Sequence, residues 1–185
     1  DGQALYDLGM PGGAAWLRDA IAAEALPSLA DGEAYALDAV RLLPIIPNPG
    51  KILCIGLNYA SHVAEMGRKQ EGWPAVFTRW VDTLVAHGDP LIRPRNGEEF
   101  DFEGELAVIV GKGGRHIPRE RALGALAGYS IFQDASLRDW QRHNSQFTPG
   151  KNFPGTAGFG PTLVTPDEVP DLGTQRVQTR LNGEL

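Results

Sequence analysis

The chain has 185 residues, 42% of them apolar and 22% charged, with a formal net charge of −6; this suits one packed domain, or one domain with a small appendage, and excludes a disordered chain. The acidic balance argues against a nucleic-acid partner, which calls for a basic face, and no apolar run approaches the ~20 residues of a membrane span. The single cysteine, Cys54, rules out an internal disulfide, and the start "DGQALYDLGM" has no signal-peptide pattern, so a cytoplasmic protein is expected.

In chain order, a helical stretch is expected near Ala14–Ala23, opened by "PGG", and then short extended pieces such as "VRLLPII". "IPNPG" at 46–50 marks a boundary between a small N-terminal subdomain, 1–46, and the main body, 47–185. Ile52–Ile55 is an apolar core strand that carries Cys54 in a structural role. "NYASHVAEMG" reads as a short helix stopped by Gly67. Residues 68–98 are rich in turns, with short strands near Ala75–Thr78 and Leu91–Arg93. Phe102–Val110 is a strand, "PRERALGALA" a helix and Gly128–Phe132 a strand. "ASLRDWQRH" is a helix with Ser136 as its cap and Asp139 in its first turn. Residues 148–161 form a long Gly/Pro loop. The tail "RVQTRLNGEL" alternates Val177, Thr179 and Leu181 and reaches Asn182-Gly183, a strong hairpin signal. A hairpin needs a return arm, only Glu184 and Leu185 follow, and the first residue is Asp. Both ends read as cut, and the 47–185 domain is expected to be incomplete at its C-terminal end. Short strands mixed with short helices, without regular βαβ alternation, give an α+β class with a mostly antiparallel or mixed sheet.

One stretch sets charge against a core. "DFEGELAVIV", 101–110, puts Asp101, Glu103 and Glu105 on alternate positions ahead of an apolar run that reads as buried. Within one strand, residues i and i+2 share a face with Cα atoms ~7 Å apart, so Glu103 and Glu105 can converge, and Gly104 keeps the opposite face small. Such a pair binds a cation, shares a proton or lies on a solvated edge. Asp134, after the apolar strand "GYSIF", adds a third carboxylate. With no cysteine nearby the set is all-oxygen, suited to Mg2+ or Mn2+ and poor for zinc. Asp134, Arg138 and Gln141 are spaced i, i+4, i+7, so on a helical turn Arg138 and Gln141 would face whatever the metal binds; Arg138 alone is equally an ordinary helix ion pair. His62 and Glu65, i and i+3 on the short helix, either set a carboxylate beside an imidazole to raise its basicity or form a surface ion pair. His87, His116 and His143 lack such company and read as structural. Lys151 in "PGKNFPG" does not fit a Walker A loop; it can serve an oxyanion or stay solvated.

Taken together, "GLNYASHVAEMG", "DFEGELAVIVGK", "QDASLRDWQ" and "GKNF…FGP" resemble the fumarylacetoacetate hydrolase family in order and approximate spacing. The resemblance runs from about residue 44 to the end, and residues 1–43 resemble the less distinctive N-terminal part of many bacterial members. It implies a mixed β-sandwich roll, a homodimer and one divalent cation, Mg2+ or Mn2+, per site. At matching positions it makes Glu103, Glu105 and Asp134 the metal ligands, His62 with Glu65 the water-activating pair, and Arg138, Gln141 and Lys151 the groups that meet the substrate. Two departures stand out. Arg79 in "VFTRW" takes the place of a lysine common in the family and would retune carboxylate recognition at the substrate, since Arg and Lys are different donors. The strands that follow "NGE" in the family, with a Gly-Thr-Pro loop that helps close the site, have no counterpart in this sequence.

The implied substrates are small α-keto or β-diketo acids. The first reading is metal-dependent hydrolysis of a C–C bond in an acylpyruvate-type substrate, with the enolate of pyruvate held by the metal, water activated by His62 and the developing oxyanion held by Lys151. The second is isomerisation or decarboxylation of hydroxymuconate- or oxaloacetate-like acids at the same metal site. The third, of another class, is an inactive binding or scaffold protein; the intact carboxylates and His62 argue against it and the short chain argues for it.

Overall fold

The computed structural model describes residues 4–7, 17, 20, 21, 33–59, 67 and 72–185. Strands β1 (Ala4–Asp7) and β2 (Glu33–Ala36) form an antiparallel ribbon, and β3 (Ile52–Gly56) with β4 (Ala75–Arg79) forms another. The central sheet runs β5 (Leu84–Val85), β10 (Ala157–Phe159), β8 (Leu126–Asp134), β7 (Gly104–Val110). Its β5–β10 pair is parallel and its other pairs antiparallel, so the sheet is mixed. A short ladder of β6 (Phe100–Asp101) with β9 (Ser136–Leu137) lies alongside. Two one-turn helices, α1 (Arg138–Gln141) and α2 (Thr148–Lys151), complete an α+β architecture.

The core forms where the central sheet meets the segment before β3. Ile46, Phe132, Ala157 and Phe159 are buried together, with Leu17, Ile21, Ile45, Ile52, Leu84, Ala107 and Ile109 packed around them. Phe132 and Phe159 meet edge to face at 5.6 Å. Only one face of β3 and β7 is packed: Leu53 and Ile55, and Val108 and Val110, are exposed. Runs that read as buried on both faces are thus one-sided.

Strands expected at Ile52–Ile55, Ala75–Thr78 and Gly128–Phe132 lie within β3, β4 and β8. The Asn182-Gly183 turn is present: both residues have positive φ, 52° and 86°, and Leu181 and Glu184 exchange backbone bonds of 2.9 and 3.0 Å. Elsewhere the structure differs. "PRERALGALA" forms two 3-10 turns, Arg119–Arg121 and Leu123–Ala125, because a ten-residue run with a central Gly124 is too short and too flexible to propagate an α-helix. Leu91–Arg93 is irregular, held by one bond from Ile92 N–H to the Gly155 carbonyl at 2.8 Å. The expected loop 148–161 contains α2 and β10, and β5 was not foreseen. Ser136 lies in β9 rather than capping a helix; its hydroxyl donates to the Asp134 carbonyl at 2.9 Å, while Asp139 does fall in the first turn of α1. Of the expected helix at Ala14–Ala23, Leu17, Ala20 and Ile21 are helical and the others lie outside the described residues, as does the "NYASHVAEMG" helix from Ala60 to Met66. Among the described residues, no helix is long and apolar enough to cross a membrane.

Candidate active site

The site lies where two strands change partners. The strand expected from Phe102 to Val110 starts only at Gly104: β6 pairs with β9, β7 pairs with β8, and Phe102 and Glu103 form the corner between them. Its partner turns the same corner at Ala135, between β8 and β9. Glu103 and Asp134 face each other across this corner. The Glu103 carbonyl accepts the Asp134 N–H at 2.9 Å, and the Glu103 N–H donates to Gln133 Oε1 at 2.7 Å. Glu103 and Glu105 therefore do not share a face of one continuous strand, although only Gly104 separates them. The other side of Gly104 is filled by Thr179, whose hydroxyl would collide with any added Cβ.

Lys151 reaches the corner because α2 lies against both α1 and β4. Asn152 ties α2 to β4, accepting the Trp80 N–H at 2.8 Å and donating to the Thr78 carbonyl at 3.0 Å. Gly150 permits the contact with α1: a Cβ there would stand 2.6 Å from the Leu137 carbonyl oxygen and from the Gln141 nitrogen. The Lys151 ammonium donates to Glu103 Oε2 at 2.6 Å and to Asp134 Oδ2 at 2.7 Å, and lies 5.2 Å from the centre of the Phe77 ring. Its side chain is 1% exposed.

Two arginines take the remaining oxygens. Arg138 Nη1 donates to Glu103 Oε1 at 2.5 Å and to Gln141 Oε1 at 2.8 Å, and its Nε donates to Asp101 at 2.9 Å. Arg79, from the end of β4, donates to Asp134 Oδ1, to the Ala135 carbonyl at 3.1 Å and to Thr156 Oγ1 at 2.6 Å. Its Nε is buried and has no partner among the described residues. Thr156 passes the chain on, donating to the Phe153 carbonyl at 2.6 Å.

Glu105 has no hydrogen bond or ion pair with a described residue. Burial, together with the Asp134 and Glu103 charges, pushes its carboxyl up to about 7, against a partial lowering by Lys151. Cys54, opposite Phe77 on the β3–β4 ribbon, is pushed up to about 12 by burial first and then by Asp134. It stays a thiol at neutral pH and is a poor nucleophile.

Six of the residues singled out in the sequence thus form one network: Glu103, Asp134, Lys151, Arg138, Gln141 and Arg79. Glu105 is electrostatically coupled to it without a bond. His62 and Glu65 lie outside the described residues; before them, the Tyr59 hydroxyl accepts the Leu106 N–H of β7 at 3.3 Å. Asp134 and Arg138 do not share a helical face, since Asp134 ends β8 and α1 starts at Arg138. Sequence reasoning missed Asp101, Gln133 and Thr156 as network members. Asp101 shares the alternation of the glutamates and Gln133 adjoins Asp134, so both carried a signal; Thr156 carried none.

The donor set fits a hard divalent cation. The oxygens Glu103 Oε2 and Asp134 Oδ2 already converge on one positive charge, and Glu105 beside them is a carboxylate in want of one. As placed, with Lys151 between the first two, no three His, Cys, Asp or Glu side chains among the described residues stand close enough to hold a metal.

A family model for the C-terminal domain of fumarylacetoacetate hydrolase matches residues 51–185. The chain is 40% identical over 156 residues to the oxaloacetate tautomerase YisK of Bacillus subtilis, which covers 82% of this chain and 52% of that protein. A fumarylacetoacetate hydrolase structure from Exiguobacterium antarcticum superposes with a TM-score of 0.71 at 37% identity, over 82% of this chain and 55% of that one. A 5-carboxymethyl-2-hydroxymuconate delta-isomerase from Mycobacterium smegmatis does so with a TM-score of 0.64 at 32% identity, over 73% and 53%. The chain spans about half the length of the curated relatives it matches.

Proposed function

The chain belongs to the fumarylacetoacetate hydrolase family and has its fold, and on that premise we propose that it is a divalent-cation-dependent tautomerase or isomerase of an oxaloacetate-like keto acid. Of the enzymatic readings drawn from the sequence, the similarities favour this one over C–C hydrolysis: one relative is named an oxaloacetate tautomerase and another a hydroxymuconate isomerase. The observation that carries the proposal is the convergence of Glu103 and Asp134 on one cationic point beside Glu105, which has no partner among the described residues.

Enzymes of this family typically use a divalent metal, and the all-oxygen donor set suits Mg2+ or Mn2+. Glu103, Glu105 and Asp134 would hold it, and when bound it would supply Lewis-acid stabilisation of enolate charge. Arg138 and Gln141 sit at the half-exposed side of the network and would orient a substrate carboxylate, the Arg138 fork being suited to that group. Lys151 would donate to the keto oxygen as charge develops there. Arg79, 2% exposed and engaged with Asp134, acts through that carboxylate. Tautomerisation moves one proton between the carbon beside the keto group and the enol oxygen. The His62 imidazole, with Glu65 three residues on in the sequence, is the group of this sequence suited to carry it. The protein would act as a homodimer, as the resemblance implies.

The test follows decay of the oxaloacetate enol by its ultraviolet absorbance, with Mg2+ and with chelator, in the wild type and in Glu105→Gln. Cation-dependent acceleration that the variant loses is the expected result. C–C hydrolysis is the second reading, favoured by the structural match to a fumarylacetoacetate hydrolase. Acetylpyruvate cleavage without any effect on oxaloacetate would overturn the first reading in its favour.

A further inference from the structure

Glu103 and Asp134 are bonded in the same pattern, and the pattern assigns Lys151 a task of its own. Each carboxylate gives one oxygen to an arginine: Glu103 Oε1 to Arg138 at 2.5 Å, and Asp134 Oδ1 to Arg79. Each gives its other oxygen to Lys151 Nζ, at 2.6 and 2.7 Å. The two arginine-free oxygens therefore meet at a single point, and an ammonium fills it.

The geometry points to Lys151 as the internal counter-ion of the cation site: it holds Glu103 Oε2 and Asp134 Oδ2 together, competes with a divalent cation for both, and becomes free to donate to substrate only when a cation has taken them. This inference rests on the cation-site reading above. Two carboxylates drawn together repel unless a positive charge lies between them, and the lysine supplies that charge. It is a monovalent point charge that does not bond Glu105, whereas a divalent ion can serve all three carboxylates. Exchange of one for the other leaves both arginine clamps in place, so the carboxylates need not reorient. It also makes cation and substrate binding mutually dependent, because the freed ammonium is the donor that the substrate oxygen would use. A lysine with this task weakens cation affinity in return for coupling it to substrate.

The experiment is calorimetric titration with Mn2+ of the wild type, Lys151→Met and Lys151→Arg, with folding checked by circular dichroism. Lys151→Met removes the competing charge with little change of shape and should tighten Mn2+ binding by roughly ten-fold or more, as expected for a unit charge at contact distance. Lys151→Arg keeps the charge and should stay near the wild type. In parallel, acetylation of Lys151 in the wild type, read by peptide mass spectrometry, should speed up when Mn2+ is added. Equal or weaker Mn2+ binding by folded Lys151→Met, or labelling that Mn2+ leaves unchanged or slows, would overturn the inference. The labelling decides alone if the methionine variant does not fold. Failure of the wild type to bind Mn2+ is a different result, which would remove the cation-site reading and this inference with it.

Discussion

Asp134 and Glu103 share Lys151, and each is clamped by an arginine, yet the two halves of the site live in different surroundings. The Arg79–Asp134 side chains are 0% and 4% exposed, and the Arg138–Glu103 side chains 22% and 24%. In the inner half, Arg79 is fixed by Asp134, Ala135 and Thr156 and has no route to solvent. In the outer half, Arg138 divides its donors among Glu103, Asp101 and Gln141, and Asp101 is about half exposed. The same chemistry thus has two consequences. Buried, an ion pair is a structural commitment that is costly to break, because a lone charge would remain in a poor solvent. Half-exposed, it is cheap to break and free to exchange partners, as a substrate-binding group must be.

The largest expected effect tests the inner half. Arg79→Met leaves Asp134 buried with Lys151 as its only cationic partner among the described residues, and loss of one member of a buried pair costs ~3–5 kcal/mol. Urea denaturation checks this, and a loss below ~1 kcal/mol would show that burial is not what separates the halves. Next comes the support beneath Lys151. In Gly150→Ala the new methyl meets backbone atoms of Leu137 and Gln141 at 2.6 Å, so α2 must move off α1. A cost of ~1–3 kcal/mol is expected by the same measurement, as for other overpacked sites.

How much of this was legible beforehand varies with the kind of signal. Charge set against an apolar run is visible in the sequence, as it is for Glu103, Glu105 and Asp134, whereas Lys151 reads equally as a solvated loop lysine and Arg138 as a helix ion pair until the family resemblance gives them a site role. Their mutual arrangement was not. The corner at Phe102–Glu103 arises because β6 and β7 pair with different strands, a long-range choice that no local periodicity of "DFEGELAVIV" records. Helix α1 and strand β9 divide "ASLRDWQRH" for the same reason: Ser136 is held in a ladder by Asp101, so its capping propensity is not used. Arg79 was noticed only as a departure from a lysine pattern; that its guanidinium would serve Asp134 depended on β4 packing beneath α2.

Glu105 sharpens the comparison through pH. Its folded carboxyl titrates at about 7 against an ordinary 4.5, raised by burial and then by Asp134 and Glu103. A raised folded value means that protonated Glu105 is favoured in the fold. Its contribution to stability is full below about 4.5 and is lost as pH rises through about 7. Melting temperatures measured from pH 5 to 8 without added cation should therefore fall more steeply in the wild type than in Glu105→Gln, whose side chain cannot ionise. Mn2+ affinity should move the opposite way, rising through the same interval as the carboxylate forms. Parallel pH profiles for wild type and variant would mean that Glu105 is already compensated.

The smallest effect is expected in the outer half, and it is the most discriminating. Arg138→Met removes three bonds on paper, but its partners keep access to water, and Glu103 retains Lys151. Exposed and half-exposed pairs contribute ~0.2–1 kcal/mol, so the variant should lose no more than ~1 kcal/mol by urea denaturation, several-fold less than Arg79→Met. The double variant Arg138→Met with Glu103→Gln isolates the pair itself, and its coupling energy should fall in that same small range. Function should respond in the reverse order. If Arg138 orients the substrate carboxylate, its loss raises KM for the keto acid while Mn2+ binding persists, because Glu103 Oε2, Asp134 Oδ2 and Glu105 remain. An Arg138→Met variant as unstable as Arg79→Met, with KM unchanged, would mean that both arginines are structural and that the outer half is not the face that meets substrate.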